Sequence, residues 1–221
     1  MIMGAGPEQH GVTSNDWRVN KFETAATVTL ESGFFPTIFA LIDAQMPEAV
    51  TASIYDWGGF GNLFAHDDVD IVDDTAGPEK TTARAEAVIR ESKPLFTFVH
   101  LDHVDHVGHD KGHGTPEYYA SGEEADTYIG RILAAIEGAG IADSTAVIVT
   151  SDHGGRGKGH GGNSMGEIEI PWIVTGPTVA KGKEITAPVN TFDTAATVAY
   201  LLDVEAHAAW IGRPVLDAFA E

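Results

Sequence analysis

The sequence predicts an α/β fold, in which helices pack on both faces of a mostly parallel sheet to form an α/β/α sandwich. Short apolar runs rich in β-branched and aromatic residues alternate along the chain with segments whose apolar residues recur at helical spacing. Two of these runs, residues 95–99 and 146–150, lead directly into clusters of Asp and His. Ligands of such folds bind beyond the carboxyl ends of the strands, so both clusters are expected at one edge of the sheet.

Each element follows from a local pattern, taken in chain order. A helix is predicted where apolar residues share one face and a Pro, Gly or capping residue marks an end. Thr115 followed by Pro116 is such a start, and Asp193 is predicted to cap a later helix. The predicted helices are 33–46, 78–92, 115–138 or 115–140, 193–202 and a short one after Pro214; the predicted strands are 50–55, 69–72, 95–99, 146–150 and 170–174. The segment 100–113 is predicted to be a loop that carries ligands.

Length and composition set the broad class of the protein. At 221 residues and 43% hydrophobic, the chain is expected to form a single domain, 1–221, around one core. The absence of Cys excludes disulfides, thiolate metal sites and thiol catalysis. No stretch reads as a membrane helix or as a signal peptide, which leaves the localisation open.

The charge balance is strongly acidic, with 33 acidic against 13 basic residues and a net charge of −20. Nucleic acids and anionic membranes require clustered Lys and Arg, so neither is expected as a partner, and a small-molecule substrate is favoured. Acidic surfaces of this kind occur in proteins that work at high salt, where screening shortens the range of self-repulsion. A halophilic source and an ordinary acidic surface both remain open.

Histidine and aspartate concentrate in two places. Five of the ten His lie in residues 100–113 together with three Asp, and Asp152-His153 precede the glycine-rich stretch 154–162. Imidazole and carboxylate together suit zinc or manganese, whereas magnesium and calcium prefer oxygen ligands alone. The clusters therefore predict a catalytic site with two metals, with solvated loop histidines as the alternative.

These residues resemble a known family. Asp105-x-x-Gly108-His109 is similar to the metal motif of the alkaline phosphatase superfamily, in its nucleotide pyrophosphatase/phosphodiesterase branch. Residues 151–154 look like the second metal motif of that family, and residues 4–15 resemble the segment that follows its nucleophile helix. The resemblance implies an alkaline phosphatase-like fold and extends over nearly the whole chain.

The resemblance also implies roles for individual residues. Asp105, His109 and His160 would hold one metal, and Asp152 and His153 the other. Zinc is the expected ion at both positions, with manganese as the alternative.

Neighbouring residues leave some assignments open. Asp102 and His106 have the same i, i+4 spacing as the preferred ligand pair and either form a rival pair or hydrogen-bond to a ligand and orient it; the glycine at position 108 favours the register of the family motif. His113 and His103 are alternatives to His160 as the third ligand. By the resemblance, Asn15 would hydrogen-bond to a non-bridging oxygen of the phosphate.

Two parts of the family's machinery have no counterpart in the chain. The family has a metal-binding aspartate at the end of its first strand and a Thr or Ser nucleophile shortly after it, and its spacing would place both before Met1. The chain is therefore expected to be truncated at its N-terminus. Thr13 and Ser14 match family positions other than the nucleophile.

The resemblance implies a two-metal hydrolase of phosphate mono- or diesters that acts through a hydroxyl nucleophile. A sulfatase or a phosphoglycerate mutase-like enzyme is the alternative within the superfamily. A third alternative is a non-catalytic metal-binding relic. Without the first strand, that relic would expose apolar sheet edge and would either fold poorly or dimerise through that edge.

Overall fold

The computed structural model describes residues 1–220 as alternating helices and strands. The helices are α1 (Pro7–His10), α2 (Ile38–Gln45), α3 (Pro78–Ser92), α4 (His103–Lys111), α5 (Pro116–Gly138), α6 (Met165–Ile168) and α7 (Asp193–Leu201), and the strands are β1 (Thr51–Tyr55), β2 (Ile71–Asp74), β3 (Phe96–His100), β4 (Val147–Thr150) and β5 (Trp172–Thr175). The predicted α/β fold class with a mostly parallel central sheet is confirmed. None of the helices within residues 1–220 combines the length and the apolar character needed to cross a bilayer.

Hydrogen bonds group the described strands into two sheets. One sheet has the order β2-β1-β3, and β1 is buried along its whole length. The other consists of β4 and β5, which run antiparallel with Val147 opposite Thr175 and Thr150 opposite Trp172. Each of these strands begins within about two residues of its predicted start, which is the usual precision for element ends.

The chain divides into two compact units, and the prediction of one domain stays a prediction. The first unit comprises Met1–Ala52, Gly58–Val72 and Gly182–Glu221. Its apolar core contains large, fully buried side chains on and around α2, namely Phe35, Ile38, Phe39, Ile42 and Phe64. The buried indole of Trp210 donates its Nε1–H to the carbonyl of Pro36 at 2.9 Å, which satisfies the polar atom of this side chain.

The second unit comprises Ser53–Trp57 and Asp73–Lys181. Here α3 packs against α5, with Ile89 of α3 in contact with Ala135 and Ile136 of α5. The bounds of α3 agree with the prediction, and α5 begins as predicted, because Thr115 Oγ1 accepts the backbone N–H of Tyr118 at 3.3 Å. This packing supports the segments that carry the Asp and His clusters.

One capping prediction was wrong in detail. Asp193 is the first residue of α7, and Phe192 occupies the N-cap position. The Asp193 carboxylate instead accepts the backbone N–H groups of Asn190 at 2.7 Å and of Arg213 at 2.9 Å. Asp193 therefore ties the start of α7 to the C-terminal segment as well as satisfying the local turn.

The prediction of a loop at 100–113 was also wrong, because most of this segment forms α4. The segment lacks the apolar stripe from which an amphipathic helix is inferred, since its periodic residues are Asp and His. On a helix, residues four apart lie on the same face. The i, i+4 spacing of Asp105 and His109 is therefore what a helix needs to bring both side chains to one point.

Candidate metal centre

Helix α4 presents Asp105 and His109 side by side, one turn apart. His109 Nε2 lies 3.3 Å from Asp105 Oδ2. The helix ends at Lys111, and its C-cap is Gly112, whose φ of 104° is open to glycine and strained for other residues and whose N–H donates to the carbonyl of Gly108. Beyond Gly112 the chain leaves the helix, and the side chains of Asp105 and His109 stay partly exposed.

The glycine-rich loop after β4 brings His160 to the same point. A tight turn closed by reciprocal backbone hydrogen bonds between Arg156 and Gly159 folds this loop back. His109 Nδ1 contacts the carbonyl oxygen of Lys158 at 2.9 Å, which fastens the loop to α4. One ligand atom from each of Asp105, His109 and His160 then lies within 4.8 Å of the others. This grouping supports the preferred ligand register.

The three side chains fit a divalent metal. Metal–ligand bonds of about 2.0–2.2 Å require ligand atoms that lie within roughly 4 Å of one another, which the group approaches. Because a carbonyl oxygen only accepts, His109 carries its proton on Nδ1 and presents the Nε2 lone pair toward Asp105. Asp105 Oδ1 is buried without a hydrogen-bond partner, and a cation would satisfy it. A mixed carboxylate and imidazole set is also the chemistry that zinc or manganese takes.

His113 lies behind Asp105. Its side chain is 6% exposed, its Nδ1 contacts the carbonyl of Gly157 at 3.1 Å, and its Nε2 is 3.8 Å from Asp105 Oδ1. A Cβ added at Gly108 or at Gly155 would overlap the His113 ring. The glycine of the metal motif therefore makes room for the His113 imidazole beside Asp105, and His113 is not one of the three convergent groups.

Asp152 and His153 lie beside this group. The rings of His153 and His160 stack with centroids 3.7 Å apart, and His153 Nε2 is 3.6 Å from Asp152 Oδ2. Burial lowers the pKa of His160, and the neighbouring His153 lowers it further, which favours the neutral imidazole that binds metals. Residues 1–220 show no third group converging with Asp152 and His153, so their role as ligands of a second metal stays a prediction.

The remaining predicted site residues do not belong to the convergent group. Asn15 belongs to the first unit and is exposed, with its backbone carbonyl accepting from Arg18 Nη1 at 3.1 Å, and its role at a phosphate stays a prediction. Asp102 and His106 line a separate pocket of the second unit, and His103 contacts Glu124 Oε2 at 3.2 Å. Burial raises the pKa of Asp102. Neither His103 nor Asp102 converges with the Asp105 group.

Comparison with known families shows to which family the chain belongs. The model of the type I phosphodiesterase/nucleotide pyrophosphatase family matches residues 1–157, well over half of the chain and including α4 and the second metal motif. The chain belongs to this family. Type I phosphodiesterases and sulfatases share the alkaline phosphatase superfamily, as the resemblance indicated.

Relatives of this phosphodiesterase-family chain include sulfatases. It is 30% identical to a steryl-sulfatase of Rattus norvegicus over 133 residues, and 36% identical to an arylsulfatase K of Danio rerio over 92 residues. These matches cover 50% and 39% of the chain but 23% and 18% of the relatives. The chain thus spans about a quarter or less of the length of these relatives.

Solved structures share the fold of this family member at low identity. A putative sulfatase from Bacteroides thetaiotaomicron has a TM-score of 0.72 at 15% identity, over 99% of this chain and 62% of that one. A murine ectonucleotide pyrophosphatase/phosphodiesterase 5 in complex with AMP has a TM-score of 0.51 at 21% identity, over 69% and 43%. Both likenesses support the fold assignment.

Proposed function

We propose that this protein hydrolyses phosphate mono- or diesters at a centre of two divalent metals, zinc foremost. The observation that carries the proposal is the convergence of Asp105, His109 and His160, which come from two separate segments, in a member of the type I phosphodiesterase family. In the proposed assignment Asp152 and His153 hold the second ion. When bound, the metals supply electrostatic stabilisation for the charge on the phosphoryl group and activate an oxygen nucleophile.

The protein's own residues prepare this centre. The carbonyl of Lys158 fixes His109 in the tautomer whose Nε2 is free to bind a cation. His113, held by the carbonyl of Gly157, packs beside Asp105, with its Nε2 3.8 Å from Asp105 Oδ1. The three groups therefore need little rearrangement, and preorganisation of this kind is the main contribution that a protein makes to a metal site.

A sulfate ester hydrolase is the second candidate, since steryl-sulfatase and arylsulfatase K are among the relatives. Both candidates use the same carboxylate and imidazole centre in this proposal. The identity of the nucleophile decides between them, and no residue described here is assigned that role. The two candidates therefore have to be separated by substrate.

The test uses the protein at the full length that its gene encodes, with p-nitrophenyl phosphate, bis(p-nitrophenyl) phosphate and p-nitrophenyl sulfate as substrates. We expect turnover of a phosphate ester, its loss on chelation and its return with Zn²⁺ or Mn²⁺. Turnover of the sulfate alone would establish the second candidate. Turnover of none of the three by metal-loaded protein would overturn both.

Asp105→Asn should lower kcat/KM by about a hundredfold or more, because loss of a ligand costs at least as much as loss of a group that orients one. Asp110→Asn is the matched control, since Asp110 is on the same helix with a 61% exposed side chain. We expect the control to keep its activity. Equal activity in both variants would remove Asp105 from the proposed centre.

A further inference from the structure

A further pocket lies beside α4, within the second unit. It has a volume of about 220 Å³ and is lined by Asp56, Asp102, His103, His106 and the turn 77–78 at the start of α3. None of these residues belongs to the convergent metal group. The pocket is strongly acidic for its size, because two of its six lining residues are aspartates and none is Lys or Arg.

Asp56 is the unusual member of this pocket. It follows β1 directly, and its side chain is only 2% exposed. Asp56 Oδ1 accepts the backbone N–H of Asp102 at 2.8 Å, while Asp56 Oδ2 is buried without a hydrogen-bond partner. Burying a carboxylate oxygen that accepts nothing is costly, so this atom marks a place for a donor.

His103 adds a second acceptor to the same pocket. Its Nε2 contacts Glu124 Oε2 at 3.2 Å, and a carboxylate only accepts, so the Nε2 of the neutral ring carries the proton. His103 Nδ1 is then an acceptor, and it too is buried without a partner. Two of the residues that line the pocket therefore each carry a buried acceptor, one of them anionic, that lacks a donor.

The size and charge of the pocket select the ligand. An anion would add charge beside Asp56 and Asp102 and bring no donor. A bare metal ion needs at least three converging ligand atoms, and in residues 1–220 only the Asp105 group has them. A volume of about 220 Å³ holds roughly seven waters at about 30 Å³ each, which is room for a short organic group. A primary ammonium combines positive charge with three donors.

We propose that this pocket binds the primary ammonium group of an aminoalkyl phosphate ester, the substrate class of the neighbouring centre. The two sites share α4: Asp102, His103 and His106 line the pocket, while Asp105 and His109 belong to the metal group. Residues three apart are neighbours on a helix surface, and His106 and His109 of α4 have this spacing, so the pocket and the metal group occupy adjacent faces of the helix. Calling the ligand a substrate rests on the proposed hydrolase function, but binding of an ammonium group to the pocket can be tested without turnover.

The binding test measures the thermal unfolding midpoint of the full-length, metal-free protein in EDTA with ethanolamine as the probe. We expect a saturable rise of about 2–4 °C at concentrations above the dissociation constant. Propanol, which replaces the ammonium by a neutral group, and tetramethylammonium, which carries charge without donors, should give no saturable rise. The same rise with propanol or tetramethylammonium, or no rise with ethanolamine, would overturn the proposal.

Variants assign the effect to the pocket. Asp56→Asn should abolish the ethanolamine shift, and His103→Phe, which keeps a ring beside Tyr128 but removes both nitrogens, should reduce it. Asp105→Asn should keep the shift, since it alters only the metal group. If Asp56→Asn does not fold, His103→Phe alone carries the test. A full shift in every pocket variant that folds would contradict the assignment.

The turnover test compares 2-aminoethyl p-nitrophenyl phosphate with propyl p-nitrophenyl phosphate. The wild type should prefer the aminoethyl ester by about tenfold in kcat/KM, the effect of one charge-assisted hydrogen bond, and Asp56→Asn should bring the ratio close to one. Ethanolamine binding without turnover of either ester would overturn the hydrolase function and leave the pocket standing. Equal turnover of both esters without ethanolamine binding would overturn the pocket assignment and leave the hydrolase function standing.

Discussion

The side chain of His113 explains why the metal motif has glycine at position 108. Gly108 lies inside α4, where replacement of glycine by alanine ordinarily stabilises by about 0.5–1 kcal/mol. A Cβ at Gly108 would lie 2.5 Å from His113 Nε2, far inside van der Waals contact. Gly108→Ala should therefore destabilise the protein by about 1–3 kcal/mol, as overpacking does, when measured by urea unfolding.

Gly130→Ala is the matched control for this prediction. Gly130 lies inside α5, is exposed, and has no atom within 4 Å of an added Cβ. This variant should be stabilised by about 0.5–1 kcal/mol. Stabilisation of both variants would mean that His113 does not fill the space beside Gly108.

His10 makes stability depend on pH. Burial lowers its pKa from 6.5 to about 4, and its Nδ1 accepts the N–H of Val12 at 3.0 Å, a bond that protonation breaks. The unfolded chain takes up the proton near pH 6.5 and the folded chain near pH 4, so stability falls as the pH falls through this window. The expected loss is about 1–2 kcal/mol, below the full linkage value because the ring is partly open to solvent.

His10→Asn isolates this effect, since an amide oxygen can replace Nδ1 as acceptor and does not titrate. Urea unfolding at pH 7, 6, 5 and 4.5 should show the wild type losing stability relative to His10→Asn as the pH is lowered. Parallel pH profiles for the two proteins would contradict the assignment.

An ion-pair group joins α3 to α5 at the element scale. Arg131 donates from Nη2 to Glu86 at 2.8 Å and from Nη1 to both oxygens of Glu79 at 2.8 Å, and the hydrogen bond from Arg131 lowers the pKa of Glu86. Arg131→Met should cost about 1–2 kcal/mol of unfolding free energy, because it leaves Glu86, 17% exposed, without its main partner. Arg90→Met, which removes a 3.7 Å contact from a half-exposed Arg, should cost less than about 0.5 kcal/mol. Equal losses of unfolding free energy in the two variants, measured by urea unfolding, would show that the short contacts of Arg131 stabilise the protein no more than the longer contact of Arg90.

The elements differ in how far their sequences predicted them. Helix α3 was predictable to the residue because Pro78 and its apolar stripe mark it, and α5 because Thr115-Pro116 opens it. Helix α4 was not predictable, because its periodic residues serve the site and leave no apolar stripe. The Asp56 pocket was beyond sequence reasoning, since Asp56 meets Asp102 across 46 residues and reads locally as part of a turn.

At the scale of the whole molecule, the net charge of −20 predicts self-repulsion that salt relieves. The thermal unfolding midpoint at pH 7 should rise as NaCl increases from 0.05 to 1 M. Near pH 4.6, the isoelectric point of the sequence, the same increase in salt should have a smaller effect because little net charge is left to screen. An equal effect of salt at both pH values would exclude charge repulsion as the cause.

The family and fold were recognisable from the sequence because the metal motifs are short, follow one another in the order of the family and consist of residues that bind metals. Both clusters were expected at one edge of a single sheet; β3 and β4 belong to different sheets among the described residues, yet the structure brings Asp105, His109 and His160 together. Roles that depend on long-range placement, such as those of Asn15 and of the Asp152–His153 pair, stay predictions. For these residues the local sequence pattern does not show which distant segment each one meets.

Metal counting tests the central claim most directly. Elemental analysis of purified full-length protein, wild type and variants, needs no substrate and no turnover. His160→Ala should lose one equivalent of metal relative to the wild type and keep the equivalent assigned to Asp152 and His153, while His113→Ala should keep both, because His113 is not one of the three converging groups. Full metal content in His160→Ala with one equivalent lost in His113→Ala would show that the ligand assignment is wrong.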